Sequence, residues 1–367
     1  GLGGTALAHI EAGGLMRLES AGGILGTGDA ADPLLRSQGN MTLITTGKTG
    51  LAGGAIHGTT ADDTLQIAIG GDQDQSALTV AAQGDVRLSE STGDFNLASV
   101  RSAAGDVRLE ALAGGILSSM LSNDLDKTNV TGDAVTLVAG NPDNSDGVAS
   151  SIGSSTEPLR IDANSLDAIT YTPMRTVIAI EDSNDLEVKS LSMQSAGKIQ
   201  VSAGGNLSVA GNLTLTQDAA NAIDLSAGTG ILTLNGGLYM GQGTMTLSAA
   251  NDILQKANTT IQNVGGSVSI QSDQGGFLQE RGASLTTAAA GPGQGGRLSI
   301  LAHKDVAVSQ MDVGNGDLSL VAGGDVYEVG EDAGTELTAN TLTLTAGDNV
   351  GVLGRNSQAL EVAVNQL

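Results

Sequence analysis

The chain has 367 residues, of which 54 are glycine, three are tyrosine, two are phenylalanine and none is cysteine or tryptophan. The lack of cysteine excludes disulfide scaffolds, cysteine-ligated metal centres and thiol nucleophiles. The net charge of −24 and the scarcity of aromatic side chains also argue against a nucleic-acid partner and against anionic membranes.

The beginning of the chain shows no targeting pattern. Residues 1–10 lack the basic start and the apolar block of a signal peptide. The longest aliphatic run, residues 177–180, is far shorter than the roughly 20 residues that span a bilayer. We therefore expect no membrane insertion, and either a cytosolic chain or a piece of a longer protein.

A short unit recurs along the chain. It consists of glycine, usually an acidic residue, and then two apolar residues separated by a polar one. Copies lie at residues 84–88, 105–109, 132–137, 197–201, 266–270 and 316–320. Apolar residues at alternate positions predict a short strand in each copy.

A second apolar position follows each copy after eight or nine residues, as Leu207 follows Ile199. Further pairs are Val86 and Phe95, Val107 and Ile116, Met245 and Ile253, Val268 and Phe277, Leu298 and Val306, Leu318 and Val326, and Leu342 and Val350. Successive copies begin about 20 to 30 residues apart, which predicts a coil with two or three short strands per turn.

One such turn cannot bury its own apolar side, whereas stacked turns enclose a continuous aliphatic core. The sequence therefore predicts an all-β fold, a right-handed parallel β-helix (β-solenoid) of about fifteen turns. We expect a single elongated domain over residues 1–367. Glycine, aspartate and asparagine at the corners are expected to supply positive φ angles, or side chains that form hydrogen bonds with the backbone of their own turn. A helical solenoid is disfavoured, because no apolar stripe recurs at helical spacing and glycine is frequent.

Longer echoes of the repeat include its loops. Residues 252–261 resemble residues 276–285, and residues 23–34 resemble residues 151–159. Both ends carry the strand pattern, at residues 13–18 and 360–364, although a free solenoid needs polar caps at its ends. We therefore expect the chain to be an excerpt of a longer repeat protein.

The iterated Gly-Asp-Val-x-Leu units, the Ala-Gly-Gly-Asp-Val unit at residues 322–326 and the run at residues 339–347 resemble giant bacterial exoproteins of the filamentous haemagglutinin type. The resemblance covers nearly the whole chain. It implies secretion, a right-handed parallel β-helix, and a role in adhesion, cell-surface structure or biofilm. The Asn-Pro-Asn-Gly signature of that family's secretion domain does not occur in the sequence.

Candidate catalytic residues are few. His9, His57 and His303 are dispersed and lack the spacing of metal ligands, and no G-x-S-x-G motif is present. Polysaccharide lyases and hydrolases with a β-helix fold are the enzyme alternative, and their sites combine clustered charged groups with aromatic platforms. The aromatic residues here are scattered, with both phenylalanines at inward positions: Tyr171, Tyr239, Tyr327, Phe95 and Phe277. We predict that the protein is not an enzyme and that it has no catalytic residue and no cofactor.

Two acidic stretches only partly match calcium-binding motifs. Residues 72–76 begin like an EF-hand loop, but Gln83 stands where the closing glutamate is needed. Residues 313–318 match half of a calcium-binding nonapeptide, without repetition in neighbouring turns. We predict no specific metal site and an acidic surface that keeps the protein solvated.

Threonine-rich strands at residues 214–216, 244–246 and 341–345 suggest an outward hydroxyl ladder of the ice-binding kind. Four residues at positions that the repeat makes equivalent interrupt it: Ser299, Ser319, Arg87 and Arg108. Outward threonine is also ordinary on a β-sheet, and this explanation is preferred.

Three segments depart from the repeat. Residues 141–147 and 290–296 contain inserted turn-forming residues, and residues 167–185 depart from the pattern most strongly. A recognition epitope is expected in one of them if the protein has one, and tolerated loop insertions are the alternative.

Together these observations predict a non-enzymatic extracellular structural or adhesive rod, the stalk or spacer of a bacterial cell-surface exoprotein. Its expected partners are neighbouring turns of the same longer chain or copies of itself, and a host or bacterial surface. The alternatives are a subunit of an extracellular filament or surface layer, and a β-helix polysaccharide lyase or hydrolase.

Overall fold

The computed structural model describes residues 5–7, 9–26, 33–47, 54–60, 62–70, 76–119, 127–142, 149–289, 295–330, 334–351 and 359–367. Regular structure in these ranges is entirely β-strand. The strands pair in parallel with the corresponding strands of the preceding and following turns. This confirms the predicted all-β fold, a parallel β-solenoid. No helix suited to crossing a membrane occurs in the described ranges.

The chain divides into two compact units. Unit 1 comprises Gly1–Ser183 and Met193–Ser195, and unit 2 comprises Asn184–Ser192 and Ala196–Leu367.

Several stacks of strands run through unit 1. One joins β10, β12, β14 and β15, in which Val86, Val107, Val135 and Leu166 are register partners. Another joins β3, β6, β9 and β11. Two further stacks join β1, β4, β7 and β10, and β2, β5, β8 and β10. The strands are β1 (Thr5–Leu7), β2 (Ile10–Ala12), β3 (Met16–Ser20), β4 (Ile24–Gly26), β5 (Leu35–Ser37), β6 (Met41–Thr45), β7 (Ile56–His57), β8 (Leu65–Ile69), β9 (Leu78–Ala82), β10 (Val86–Glu90), β11 (Phe95–Ser102), β12 (Val107–Ala111), β13 (Ile116–Ser118), β14 (Val130–Ala139), β15 (Leu159–Thr170) and β16 (Thr176–Asp182).

Unit 2 continues with β17 (Leu186–Met193), β18 (Gly197–Ala203), β19 (Leu207–Val209), β20 (Leu213–Gln217), β21 (Ala222–Ala227), β22 (Leu232–Leu234), β23 (Leu238–Gly241), β24 (Thr244–Ala249), β25 (Ile253–Gln255), β26 (Thr260–Asn263), β27 (Ser267–Ser272), β28 (Phe277–Gln279), β29 (Ser284–Thr286), β30 (Arg297–Ala302), β31 (Val306–Val308), β32 (Met311–Asp312), β33 (Asp317–Ala322), β34 (Val326–Glu328), β35 (Leu337–Ala346) and β36 (Val362–Gln366).

These strands form three sheets. Sheet A stacks β18, β21, β24, β27, β30, β33 and β35. Sheet B stacks β17, β19, β22, β25, β28, β31 and β34. Sheet C stacks β20, β23, β26, β29, β32, the beginning of β35 and finally β36. Most turns of unit 2 therefore contribute one strand to each of the three sheets, whereas β17 and β35 each pair in two of them.

The core follows from the alternation of side chains along each strand. In β27, Val268 and Ile270 point inward and are buried, while Ser267, Ser269 and Gln271 are exposed. In-register stacking of such strands lines the interior with aliphatic side chains and removes their surface from water, which is the main stabilising term. Phe95 and Phe277 are fully buried in the core, as the inward positions predicted.

The described strands make about thirteen turns, so the predicted fifteen is slightly too many. The difference comes from long turns in unit 1. Ile24 pairs with Ile56, and Val135 pairs with Leu166, at separations of 32 and 31 residues. Insertions at corners lengthen a turn without disturbing the sheets that it joins.

Several aspartates and asparagines at the corners accept hydrogen bonds from the next turn rather than from their own turn. Asp185 Oδ1 accepts the backbone N–H of Asn206 at 2.7 Å, and Asn206 Oδ1 accepts that of Ile231 at 2.9 Å. The hydrogen bonds from Asn206 lower the pKa of Asp185, because they favour its ionised form. The same contact runs from Asp85 to Asp106, Asp106 to Ala134, Asp94 to Gly115, Asp252 to Gly276, Asp305 to Asp325 and Asp325 to Asn349.

Glycine at these corners makes room for the acceptor from the turn before. A Cβ added at Gly205 would lie 2.0 Å from Asp185 Oδ1, and one at Gly275 would lie 2.4 Å from Asp252 Oδ1. Neither glycine has a positive φ. The prediction that corner glycines supply positive φ angles is therefore wrong at these two corners. Positive φ is confined to other corners, such as that of Gly243.

We expect Asp252→Ala to lower the free energy of unfolding of unit 2 by about 1–2 kcal/mol, because the N–H of Gly276 loses its acceptor. Asp252→Asn keeps an acceptor oxygen at that place and is expected to cost about 0.5 kcal/mol or less. Urea unfolding of both variants, followed by circular dichroism, measures the difference. Equal losses would show that the carboxylate charge matters rather than the hydrogen bond.

Candidate functional site

The predicted catalytic and ligand candidates do not share a site. His9 and His303 are exposed, and His57, half-buried in β7, has its Nδ1 2.9 Å from the carbonyl oxygen of Gly58. In the described part of the chain, no histidine belongs to a group of converging ligand atoms.

The tyrosines occupy different settings. In unit 2, Tyr239 lies in sheet C with its ring against Gly237, and Tyr327 lies in sheet B. Burial raises the pKa of Tyr327, and the nearby carboxylates of Asp305 and Asp325 raise it further. These rings therefore form no joint platform within unit 2.

The half-matching calcium motif forms an ordinary corner. Gly314 N–H donates to Asp312 Oδ1 at 2.8 Å, and Gly316 N–H donates to the carbonyl oxygen of Val313 at 2.9 Å. The chain then enters β33 at Asp317. The other stretch with a calcium-like pattern, residues 72–75, lies outside the described residues.

The hydroxyl row on sheet A is longer than the sequence suggested. Thr246, Ser269, Ser299, Ser319 and Thr343 are successive register partners on the outward side of five adjoining strands. Ser299 and Ser319 continue this row instead of interrupting it. The sequence-based alignment of Ser299 and Ser319 with the threonine positions is therefore confirmed. Arg87 and Arg108, in β10 and β12 of unit 1, are register partners of each other.

Residues 167–185 are more regular than expected. The segment enters as the end of β15 and leaves as β16, so the irregular part is the corner at residues 171–175. Met174 is exposed there, and its carbonyl oxygen accepts a hydrogen bond from Ser195 Oγ. The two other predicted protrusions include residues 143–147 and 290–294, which lie outside the described residues.

A buried carboxylate stands at a corner of unit 1. Glu90 ends β10 and is 0% exposed. Its Oε1 accepts hydrogen bonds from the N–H and the hydroxyl of Thr92 at 2.9 and 2.8 Å, and its Oε2 accepts one from the N–H of Ile69 at 2.9 Å. Burial outweighs these hydrogen bonds and raises the pKa of Glu90 to about 7.

In unit 2, the corner where sheet B ends contains buried amides. Gln279 Nε2 donates to Gln255 Oε1 at 2.9 Å, and Gln279 Oε1 accepts the N–H of Ser309 at 2.8 Å. Gln255 Nε2 donates to two backbone carbonyl oxygens, those of Thr259 and Ser284. Neutral side chains thus satisfy the backbone polar groups of these turns from inside the corner.

Carboxylates replace those amides at the last turns of unit 2. Glu328 ends β34, Glu336 precedes β35 and Glu361 precedes β36, and one oxygen of each lies within 4.8 Å of the others. Glu328 and Glu336 are 2% and 3% exposed. An acidic cluster does not by itself assign a metal, and we describe these residues as the carboxyl cluster. Close, desolvated carboxylates bind protons more tightly than exposed ones.

An apolar groove of about 520 Å³ lies in unit 2. Its lining includes Leu342 and Leu344 of β35, Val362 of β36 and Leu367. Leu344 alternates with outward residues like the core residues of the preceding strands, but it is only half-buried.

The buried carboxyl groups can bind protons, and the outward hydroxyl row can form hydrogen bonds with another surface. The sequence analysis missed Glu90 and Glu328, although the period-2 pattern places both at inward positions: Val86, Leu88 and Glu90 alternate, as do Val326 and Glu328. An acidic residue at an alternate apolar position is the signal that could have found them.

Comparison of the chain with protein-family models, with curated proteins and with solved structures found no match.

Proposed function

We propose that this chain is a non-enzymatic structural or adhesive segment, the stalk or spacer of a bacterial cell-surface exoprotein similar to the filamentous haemagglutinin type. The observation that carries the proposal is the stacking itself. Each turn gives its backbone hydrogen bonds, its apolar side chains and its corner carboxylates to the turns beside it. Such a structure adds length by adding turns, and its stability is a sum over neighbouring turns.

An extracellular or cell-surface location suits this construction. Backbone amides that are paired within sheets open rarely, and proteases cleave a folded chain only where it opens. The hydroxyl row on sheet A and the acidic corners give a hydrated outer surface, to which the host or bacterial surface would attach in the adhesive case. As an adhesin, the chain would bind through that surface. As a spacer, it would hold a neighbouring segment of a longer protein away from the cell.

The test is attachment of beads that carry the purified chain to epithelial cells and to bacterial cells. We expect more attachment than with albumin-coated beads. A matched variant replaces outward Ser269 and Ser299 with lysine, and Ser202→Lys, on the same sheet but outside the row, is the control. Attachment reduced only by the double variant would place adhesion on the hydroxyl row.

Resistance to a protease without any attachment would support the spacer role over adhesion. The enzyme alternative is tested by incubating the chain with acidic polysaccharides. Release of oligosaccharides would contradict the proposal.

A filament subunit is a second candidate, and one observation favours it. Leu342 and Leu344 line an apolar groove together with Val362 of β36, and a strand of another copy could dock there. Electron microscopy of the purified chain distinguishes the two: separate particles support a spacer, and fibres that lengthen with concentration support a subunit.

A further inference from the structure

The last turn of unit 2 is attached through carboxyl groups as well as through backbone pairing. The backbone N–H of Glu361 donates to Glu336 Oε2 at 2.7 Å, and the N–H of Glu336 donates to the carbonyl oxygen of Glu361 at 3.1 Å. These contacts immediately precede β36, which then pairs with β35 from Leu337 to Thr341. The Glu336 carboxyl group therefore lies at the point where the last turn joins the solenoid.

The side chains at this junction are poorly arranged for two negative charges. Glu361 Oε2 is buried and has no hydrogen-bond partner, although it lies in the carboxyl cluster beside Glu336. An ionised Glu336 has no proton to give to that oxygen. A protonated Glu336 can donate one, and this hydrogen bond replaces repulsion between two carboxylates with attraction.

The charged groups around Glu336 are largely acidic. Glu361 faces it from the segment before β36, and Glu328 faces it from β34. Arg281, in the turn after β28, lies on the Glu328 side, since its Nε and Glu328 Oε1 both approach Gly330. Glu280, in the same turn, is paired with Lys256. The charged groups that act directly on Glu336 are therefore the carboxylates of Glu361 and Glu328.

The pKa of Glu336 is raised from 4.5 to about 7, mainly by burial. The side chains of Glu361 and Glu328 contribute to this rise, and the hydrogen bond from the backbone N–H of Glu361 opposes it. A carboxyl group that binds its proton more tightly in the docked state stabilises that state at low pH. This stabilisation is complete below about pH 4.5 and is lost as the pH rises through about 7.

In earlier turns, side chains that carry no charge at any pH occupy the corner after sheet B. Two and three turns earlier, the sheet B ladder carries Gln279 and Gln255, whose amide groups donate and accept within the corner. The fold therefore accommodates neutral side chains there without rearrangement.

We propose that residues 359–367 form a proton-operated clasp, which docks on β35 when Glu336 and Glu361 share a proton and detaches when both are ionised. Detachment uncovers Leu342 and Leu344 and frees the edge of β35 that β36 pairs with. The edge of β35 that pairs with β36 is then covered at mildly acidic pH and exposed at alkaline pH.

Hydrogen–deuterium exchange of the full chain tests the clasp. We expect the peptide covering residues 359–367 to be protected at about pH 5.5 and to lose at least about tenfold of that protection at about pH 8.5, after correction for intrinsic exchange. Peptides from β24 and β27 serve as the internal reference and should stay protected at both pH values.

Glu336→Gln is the decisive variant, because its amide can accept the N–H of Glu361 and donate to Glu361 Oε2 at every pH. We expect it to keep the protection of residues 359–367 at about pH 8.5. Glu187→Gln, an exposed residue of β17, is the matched control and should behave like the parent chain.

Two results would overturn the proposal. One is protection of residues 359–367 in the parent chain that is the same at both pH values. The other is a parent chain in which calcium chloride restores the protection of residues 359–367 at about pH 8.5, together with a Glu336→Gln variant that lacks this protection. A cation rather than a proton would then hold the last turn.

Discussion

Phe277→Ala is expected to lower the free energy of unfolding of unit 2 by about 3–5 kcal/mol. The ring is 0% exposed, and its register partners on the adjoining turns are Ile253 and Val306. The loss combines the transfer of the ring to water with the cavity left behind. That cavity cannot collapse easily, because backbone hydrogen bonds hold β25, β28 and β31 at the spacing of a parallel sheet.

The neighbouring residue provides a matched control. Leu278 points outward from the same strand and is half-buried, so Leu278→Ala is expected to cost about 1 kcal/mol or less. Urea unfolding followed by circular dichroism measures both losses. Hydrogen exchange should show the damage from Phe277→Ala concentrated in the turns beside β28, since turns are stabilised by their neighbours. Equal losses for the two variants would contradict the inward assignment of Phe277.

Unit 1 is expected to lose about 3 kcal/mol of stability as the pH rises from about 4.5 to about 7, through the titration of Glu90 alone. The folded state raises the pKa of this carboxyl group from 4.5 to about 7, so folding favours the protonated form. The contribution is complete below about pH 4.5, falls as the unfolded chain ionises, and is gone above about pH 7.

Glu90→Gln removes the titrating group and should abolish that part of the pH dependence. Its absolute stability is expected to fall somewhat, because the amide nitrogen cannot accept the hydrogen bond that one Glu90 oxygen receives. The informative quantity is therefore the change in the free energy of unfolding of unit 1 between about pH 5 and about pH 8, measured by urea unfolding. Glu157→Gln, an exposed residue of the same unit, is the control. A Glu90→Gln variant as pH-dependent as the parent chain would show that Glu90 is ionised throughout.

The strands were predictable because their pattern is local. The alternation at residues 86–88, 107–109 and 268–270, and the second apolar position eight or nine residues later, each correspond to an observed strand. The echo between residues 252–261 and 276–285 also gave the correct register, since Ile253 pairs with Phe277. The number of turns was less predictable, because corner insertions in unit 1 lengthen the repeat without leaving a periodic trace.

The corner chemistry shows where local reasoning fails. A Gly-Asp pair is typical of a turn that bonds to itself, and the sequence supports that interpretation equally well. In the fold, Asp85 of the Gly84-Asp85 pair accepts the N–H of Asp106, a residue 21 positions later, while Gly105 leaves space for its carboxylate. The contact exists only because stacking brings equivalent corners of successive turns together.

The sequence alone therefore determined the fold class, the strand positions and the aliphatic core, because period-2 alternation and an outer repeat leave few ways to bury apolar residues. Tertiary structure alone decided which residues share a surface or a corner. It aligned Thr246 with Ser269 and Ser299 in one hydroxyl row. It also brought Glu328, Glu336 and Glu361 together in one carboxyl cluster. Both depend on which strands and corners stack on one another, and because the corners differ in length, the spacing of apolar residues alone does not encode this.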